Sequence, residues 1–417
     1  MKKITAIALA LVIALGMFAG CSGNKKESEE KTITLWCIAT ESDANHKAYE
    51  QAIDEYQKAH PGVKIEWEAF ENQSYKTKIK AAMSDPDTLP DIFFTWAGAF
   101  LGDFAAADAA YCLDDAYKAH KDALPEKMLA NSTYNGKHYG VPLTYNFVGM
   151  FANMDLLAQA GWDHVPETYE DLTACCDALL AKGIIPFGCA GKETWCVTEY
   201  LEPIILKTIG YKDLNEVFAG RATWNNEGIA SSVATLQDMI DKGYFDPNGT
   251  ALSNDEVKAN FLAGKTAFYQ NGTWNCGEVN DADFNAQLCL FPVMDSAKAT
   301  YGQLIGGPSD TLAVSSHSKQ KELAAEVAFE LGKSICHYAY LIGSGLPAWT
   351  PDYDVSAVKP MVIAAGDMAV KSDGMVLFGD TAMSADPANT YLSYVDKVYG
   401  KEIDGAGFIA GLAKDLQ

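Results

Sequence analysis

Residues 32–96 alternate strand-like and helix-like runs, and that alternation limits the fold more than any other feature of the chain. Residues 32–38, Thr-Ile-Thr-Leu-Trp-Cys-Ile, form a β-branched and apolar run with Thr40 and Glu41 at its carboxyl end. From Ser42 or Asp43, either of which can cap a helix, Tyr49, Ala52, Ile53 and Tyr56 recur at helical spacing until Pro61 stops them. Residues 63–69 alternate apolar and charged side chains, as a strand with one solvated face does. A helical stretch, 75–83, leads to Pro90-Asp91 and a third apolar run, 92–94, ending in Thr95-Trp96. Strands joined by helical crossovers predict a parallel sheet covered by helices, an α/β fold.

The rest of the chain repeats these elements less regularly. Residues 113–130 read as an acidic helix, and Tyr134 to Gly140 as a hairpin with Asn135-Gly136 at a type I′ corner. Residues 141–146 carry the chain into a second unit that starts with a strand at 147–153. Helical stretches follow at 154–160, 169–181, 195–209, 215–218 and 227–242. A short helix at 255–263 precedes a buried strand at 267–269. An Asn271-Gly272 turn then places Trp274 and Asn275 beyond the strand end, where ligands of open α/β sheets sit. A further strand is expected at 288–293, a helix at 320–334, and a mainly helical tail from 351.

The 417 residues suffice for two or three cores. A formal net charge of -23 argues against nucleic acid or an anionic membrane surface as partner. Arg221 is the single arginine, so no paired guanidinium fork exists to clamp a phosphate or carboxylate. A neutral, hydroxyl-rich ligand suits this chain better than an anion.

The amino terminus reads as a leader. Lys2 and Lys3 precede an apolar run, 4–18, and then Ala19-Gly20-Cys21, too short for a comfortable membrane span. Its Phe-Ala-Gly-Cys ending resembles a bacterial lipobox, in which Cys21 is lipidated and becomes the mature end. Phe18 departs from the usual Leu, and a plain secretory peptide is the other reading. The polar residues 21–31 form a tether.

Nine cysteines remain after Cys21, with no C-x-x-C pair, and no histidine lies at metal-like spacing, so neither a metal nor a cofactor is expected. Most of these thiols read as small buried hydrophobes; Cys189 and Cys196 could bridge if their loop folds back. Ala263-Gly264-Lys265-Thr266 resembles the end of a phosphate-binding loop, but Ala259 stands where that loop needs glycine and a strand follows. It reads as a helix-ending glycine. No nucleophile elbow or H-E-x-x-H motif occurs.

Five segments together resemble the extracellular solute-binding proteins of sugar ABC importers, the maltose-binding-like cluster. They are Ile33-Thr-Leu-Trp with its helix, Leu89-Pro-Asp-Ile-Phe-Phe-Thr-Trp, Tyr134-Asn-Gly-Lys-His-Tyr-Gly-Val-Pro, Gly264-Lys-Thr-Ala-Phe-Tyr-Gln-Asn-Gly-Thr-Trp, and Ile305-Gly-Gly before Leu312-Ala-Val-Ser. The resemblance covers the chain from about Thr32 to its end. It implies a two-lobe periplasmic-binding-protein-like fold, each lobe a helix-flanked sheet, joined by a hinge with the ligand between them. The expected lobes are 32–142 with 303–345, and 143–302 with 346–417. It also implies a monomer, attached to the membrane through Cys21, that hands its ligand to ABC permease subunits.

A sugar cleft needs aromatic faces for the rings and paired polar groups for the hydroxyls. Trp96, Trp195, Trp274 and Trp349 sit at element ends or in loops and are the stacking candidates. Trp36 and Trp67 lie within strands, and Trp162 and Trp224 border helices; these four read as packing. Polar candidates are Thr40, Glu41, Tyr145, Asn146 and Asp380, with Gly307 letting backbone approach a ligand. Glu199 shares the helical face of Trp195 and reads equally as a solvated charge; Asp43 reads as a cap, and Asp310 as a weaker candidate. A neutral mono- or oligosaccharide is the expected ligand. A secreted glycosidase is an alternative from another class, although nothing places two carboxylates together at one strand end. The same fold binding a polyamine or polyol phosphate is another.

Overall fold

The structure, a computed structural model, describes residues 30–416. Its first sheet has the order Val63–Ala69, Lys31–Cys37, Ile92–Trp96, Asp310–Val314, Val141–Pro142. The first three strands are parallel, as the alternation requires, and Asp310–Val314 returns antiparallel beside Ile92–Trp96. Ile33, Leu35 and Cys37 point into the core while Thr34 and Trp36 are half-covered, the period-two pattern of a strand. Helices His46–Ala59, Asn72–Ser84, Ala99–Ala106 and Lys321–Ile342 pack against this sheet. The first of them begins later than expected. Asn45 is its N-cap residue, and Asp43 accepts from the Asn45 amide in the turn before it.

Residues 113–130 do not form one helix. Only Asp114–Tyr117 is α-helical, and a 3₁₀ segment covers Glu126–Ser132. Pro125 lacks the amide and clashes with the preceding turn, so a continuous helix breaks there. The Asn135-Gly136 corner forms as expected, with both residues at positive φ between Thr133–Tyr134 and Lys137–His138.

The second sheet is built around one long strand, Thr144–Asn153, all but one of whose residues is buried. It pairs antiparallel with Thr266–Gly272, Ala286–Cys289, Gln303–Gly307 and Leu346–Pro347. Ile185–Gly188 and Gly374–Val376 extend the sheet as parallel edge strands. Helices Thr194–Ile209, Glu227–Asp241, Ala385–Tyr399 and Gly405–Asp415 bury one face of it.

The lobe boundaries differ from the expected ones. Gln303–Gly307 belongs to the second sheet and Asp310–Val314 to the first, so this crossover falls between Gly307 and Asp310, not at 303. Trp349, expected in the second lobe, packs in the first-lobe core. Gly306 has φ +141°, and a Cβ there would lie 2.2 Å from the Asn146 carbonyl oxygen. Only glycine lets the crossing backbones approach this closely.

Candidate functional site

Between the lobes lies a cleft of about 530 Å³ lined by both lobes and by their crossovers. On the second-lobe side, three aromatic rings make a wall. Trp195 and Trp274 have centroids 6.2 Å apart at 59°, and Phe378 lies 6.1 Å beyond Trp274 at 48°.

The local backbone explains the Trp274 position, and not by the expected turn. Asn271 and Gly272 remain in the strand, paired with Gly149 and Val148, and Gly272 has an ordinary negative φ. The reversal comes one residue later, in the 3₁₀ turn Thr273–Asn275. Gly272 serves a different purpose. A Cβ on it would sit 2.2 Å from the Trp274 ring, so the indole folds back over the bare glycine. Thr273 holds the turn to the crossover strand by donating to Asn146 Oδ1 at 2.9 Å and accepting from the Phe147 amide at 3.1 Å.

Trp195 and Glu199 lie on helix Thr194–Ile209, which carries Pro203 in its interior. A proline at that position has no amide for the carbonyl four residues earlier, that of Glu199. The Gln270 side-chain amide takes the vacant acceptor at 2.6 Å. Helix and Trp274 strand are thereby tied at the point where both reach the cleft. Trp195 is oriented by its indole N–H donating to Glu193 at 3.2 Å, and Glu193 also accepts from the Asn254 amide.

The first-lobe side is polar. Thr40, Asp43, Asn45, Glu71 and Lys76 line it, and Trp96 shows one edge while its ring packs against Phe94 and Phe100. Lys76 Nζ stands 4.8 Å from the Trp96 ring centre and pairs with Asp380 of the second lobe at 2.6 Å. Asp43 and Asp310 both line the cleft and interact through their charges. Burial pushes Asp43 up to about 6 and, with the Asp43 charge adding, Asp310 up to about 7. Burial, helped by Glu202 and Asp380, also raises Glu199 well above the usual carboxylate range.

Of the expected site residues, Thr40, Trp96, Asn146, Trp195, Trp274 and Asp380 meet at this cleft. Four do not. Glu41 is exposed in the turn before the first helix and does not line the cleft, although Thr40 and Ser42 on either side of it do. Tyr145 packs into a second-lobe cluster, because its strand neighbour Asn146 takes the cleft-facing side. Gly307 pairs with Asn146 in the sheet and serves the crossover. Trp349 is buried in the first lobe, with its indole donating to the Pro142 carbonyl at 2.7 Å and its ring against Phe329 and His120. It is a core residue. Cys21 lies outside the described residues.

Lys76, Glu193, Asn254, Gln270 and Phe378 were missed. Pro203 inside a helix was a readable signal for Gln270, since it guarantees a free carbonyl; Lys76 looks like any exposed helix lysine. Cys189 and Cys196 are both free thiols. Among the described residues no group of three or more His, Cys, Asp or Glu could hold a metal ion, and no helix is long and apolar enough to cross a membrane.

Two α/β lobes, crossovers between their sheets and a cleft lined from both sides define a two-lobed ligand-binding protein. The chain belongs to the bacterial extracellular solute-binding protein family, whose model matches residues 40–330. It is 26% identical to an uncharacterized ABC transporter extracellular-binding protein of Pyrococcus horikoshii, over 88% of this chain and 90% of that one. It is 25% identical to the arabinooligosaccharide-binding protein of Bacillus subtilis, over 80% and 77%. A solved structure from work on xylan utilization by the thermophilic bacterium Caldanaerobius polysaccharolyticus superposes with a TM-score of 0.88 at 31% identity, covering 93% of this chain and all of that one.

Proposed function

We propose that the protein is the extracellular substrate-binding component of an ABC importer and captures a neutral sugar or oligosaccharide by lobe closure. The observation that carries this is the aromatic wall of Trp195, Trp274 and Phe378 facing hydrogen-bonding groups of the other lobe across the cleft. Sugar rings present apolar faces to aromatics and hydroxyl edges to polar groups, and this cleft has both surfaces. A ligand touching both lobes favours the closed state by the difference in its contacts, which is the means of capture. The relatives' carbohydrate ligands support the reading, and the xylan connection makes xylo-oligosaccharides the first to try. Membrane attachment through a lipidated Cys21, delivery to permease subunits and a monomeric state belong to the same proposal. So does the absence of catalysis, since the matched relatives are binding proteins.

A thermal-shift panel of xylo-, arabino- and chito-oligosaccharides with the corresponding monosaccharides tests it. A rise in Tm and a change in tryptophan fluorescence with one member are expected; no response to any member would overturn the carbohydrate reading. One observation favours a second reading. The cleft lining has seven carboxylates, Asp43, Glu71, Glu193, Glu199, Asp255, Asp310 and Asp380, against Lys76, Lys192 and Lys258. That surplus suits a polyamine, so spermidine belongs in the same panel, and a response to it alone would decide for a cationic solute.

A further inference from the structure

Glu199 stands in the cleft wall one helical turn from Trp195, 3% exposed, and its Oε2 has no hydrogen-bond partner. A buried carboxylate oxygen left unpaired costs stability unless something else satisfies it. Within the protein the partners are already taken. Lys76, the cation that pairs with the neighbouring Asp380, does so at 2.6 Å. The amide of Gly379 and the hydroxyl of Tyr391, at 3.1 and 3.0 Å, both donate to Glu202. The groups around Glu199 are Glu202 on its own helix, Asp380 across from it, and neutral Tyr200, Tyr269 and Cys196. An ionised Glu199 would place a second buried negative charge beside Asp380, whose lysine partner, Lys76, is already committed.

We propose that Glu199 meets the ligand as a neutral carboxylic acid, donating its proton in a hydrogen bond to a ring, glycosidic or hydroxyl oxygen of a glycan stacked on the Trp195–Trp274 wall. This rests on the carbohydrate reading and deepens it. A protonated acid offers both a donor and an acceptor, the complement of a sugar oxygen, whereas a carboxylate only accepts. It also accounts for how a cleft rich in carboxyl groups selects an uncharged ligand: at this wall the carboxyl carries no charge to attract an amine. Burial against two other carboxyls holds the proton there, and lobe closure around a ligand strengthens that hold.

Calorimetric titration with xylotriose from pH 6 to pH 9.5, using the full mature chain, tests the inference. Wild-type affinity is expected to fall about tenfold or more as pH rises and Glu199 ionises. Glu199→Gln, whose amide donates without titrating, removes the part of that dependence above pH 8, beyond the titration of Asp43 and Asp310, and binds more tightly than wild type at pH 9.5. Glu199→Ala weakens binding at every pH. The infrared difference spectrum, wild type minus Glu199→Gln at pH 7, should retain one carboxylic acid C=O stretch, that of Glu199, after the bands common to both proteins, such as that of Glu202, cancel. The inference is overturned if Glu199→Gln keeps the wild-type pH profile, if it weakens binding as much as Glu199→Ala throughout, or if the acid band is missing. Failure of wild type to bind any oligosaccharide of the panel at any pH instead removes the carbohydrate reading, and this inference with it.

Discussion

Helix Thr194–Ile209 buries an ionisable side chain near each end, and the two ends differ in how those groups are satisfied. At the carboxyl end, Lys207 donates to the carbonyls of Thr300, Tyr301 and Gln303 at 3.1, 2.7 and 2.6 Å. Three acceptors match the three protons of an ammonium, so this geometry favours the charged form even though burial pushes Lys207 down to about 7. At the amino end, Glu199 is equally enclosed and has an oxygen with no partner. Burial alone therefore does not mark a functional group. The satisfied one clamps the helix to the strand Gln303–Gly307 and its approach, while the unsatisfied one faces the cleft.

The largest break in this comparison is Lys207→Met. Losing charged hydrogen bonds to three carbonyls should cost about 4 kcal/mol of folding stability, seen as a lower denaturation midpoint. Ligand affinity measured well below that midpoint should change little, because the cleft is untouched.

Next comes the pH dependence of stability. Burial, with the Asp380 charge adding, raises Glu202 from 4.5 to about 8. The stability it contributes is complete below pH 4.5, where both states are protonated, and is lost as pH rises toward about 8. Lys207 acts in the opposite sense, and its window lies between about 7 and 10.5. Between pH 5 and 7 the wild type should therefore lose stability with rising pH, and Glu202→Gln should reduce that slope by up to about 1.4 kcal/mol per pH unit. Equal slopes in chemical denaturation would show that Glu202 is not held protonated.

At the cleft, Trp274→Ala should weaken oligosaccharide binding by about 2 kcal/mol, roughly thirtyfold, with little effect on Tm. A smaller effect, about tenfold in affinity, is expected from Gly272→Ala, whose methyl group displaces the indole. If Gly272→Ala bound as well as wild type, the folded-back Trp274 ring would not be the stacking platform.

Much of the architecture was legible because it rests on local periodicity. The strand and helix spacing of residues 32–96 leads to the parallel part of the first sheet, and Asn135-Gly136 forms the corner its conformational freedom implies. Where local signals misled, a longer-range contact decided. Asn271-Gly272 reads as a turn in isolation, yet pairing with Gly149 and Val148 keeps both residues in the strand. Trp274 and Trp349 both follow strand-like or loop residues and look alike in the sequence. One lies over a glycine at the cleft, and the other inserts between Phe329, His120 and the Pro142 carbonyl.

The sequence by itself determined the α/β class and the aromatic, arginine-poor character of the chain, which follow from periodicity and composition, while the two lobes were implied by the resemblance of five segments to a known family. The tertiary structure decided which side chains share the cleft, since neighbours such as Tyr145 and Asn146 point to opposite faces of one strand. It also decided the pairing of Lys76 with Asp380, residues 304 positions apart, and the isolation of Glu199. Those depend on how the two lobes meet, and no local pattern encodes the distance between groups so far apart in the chain.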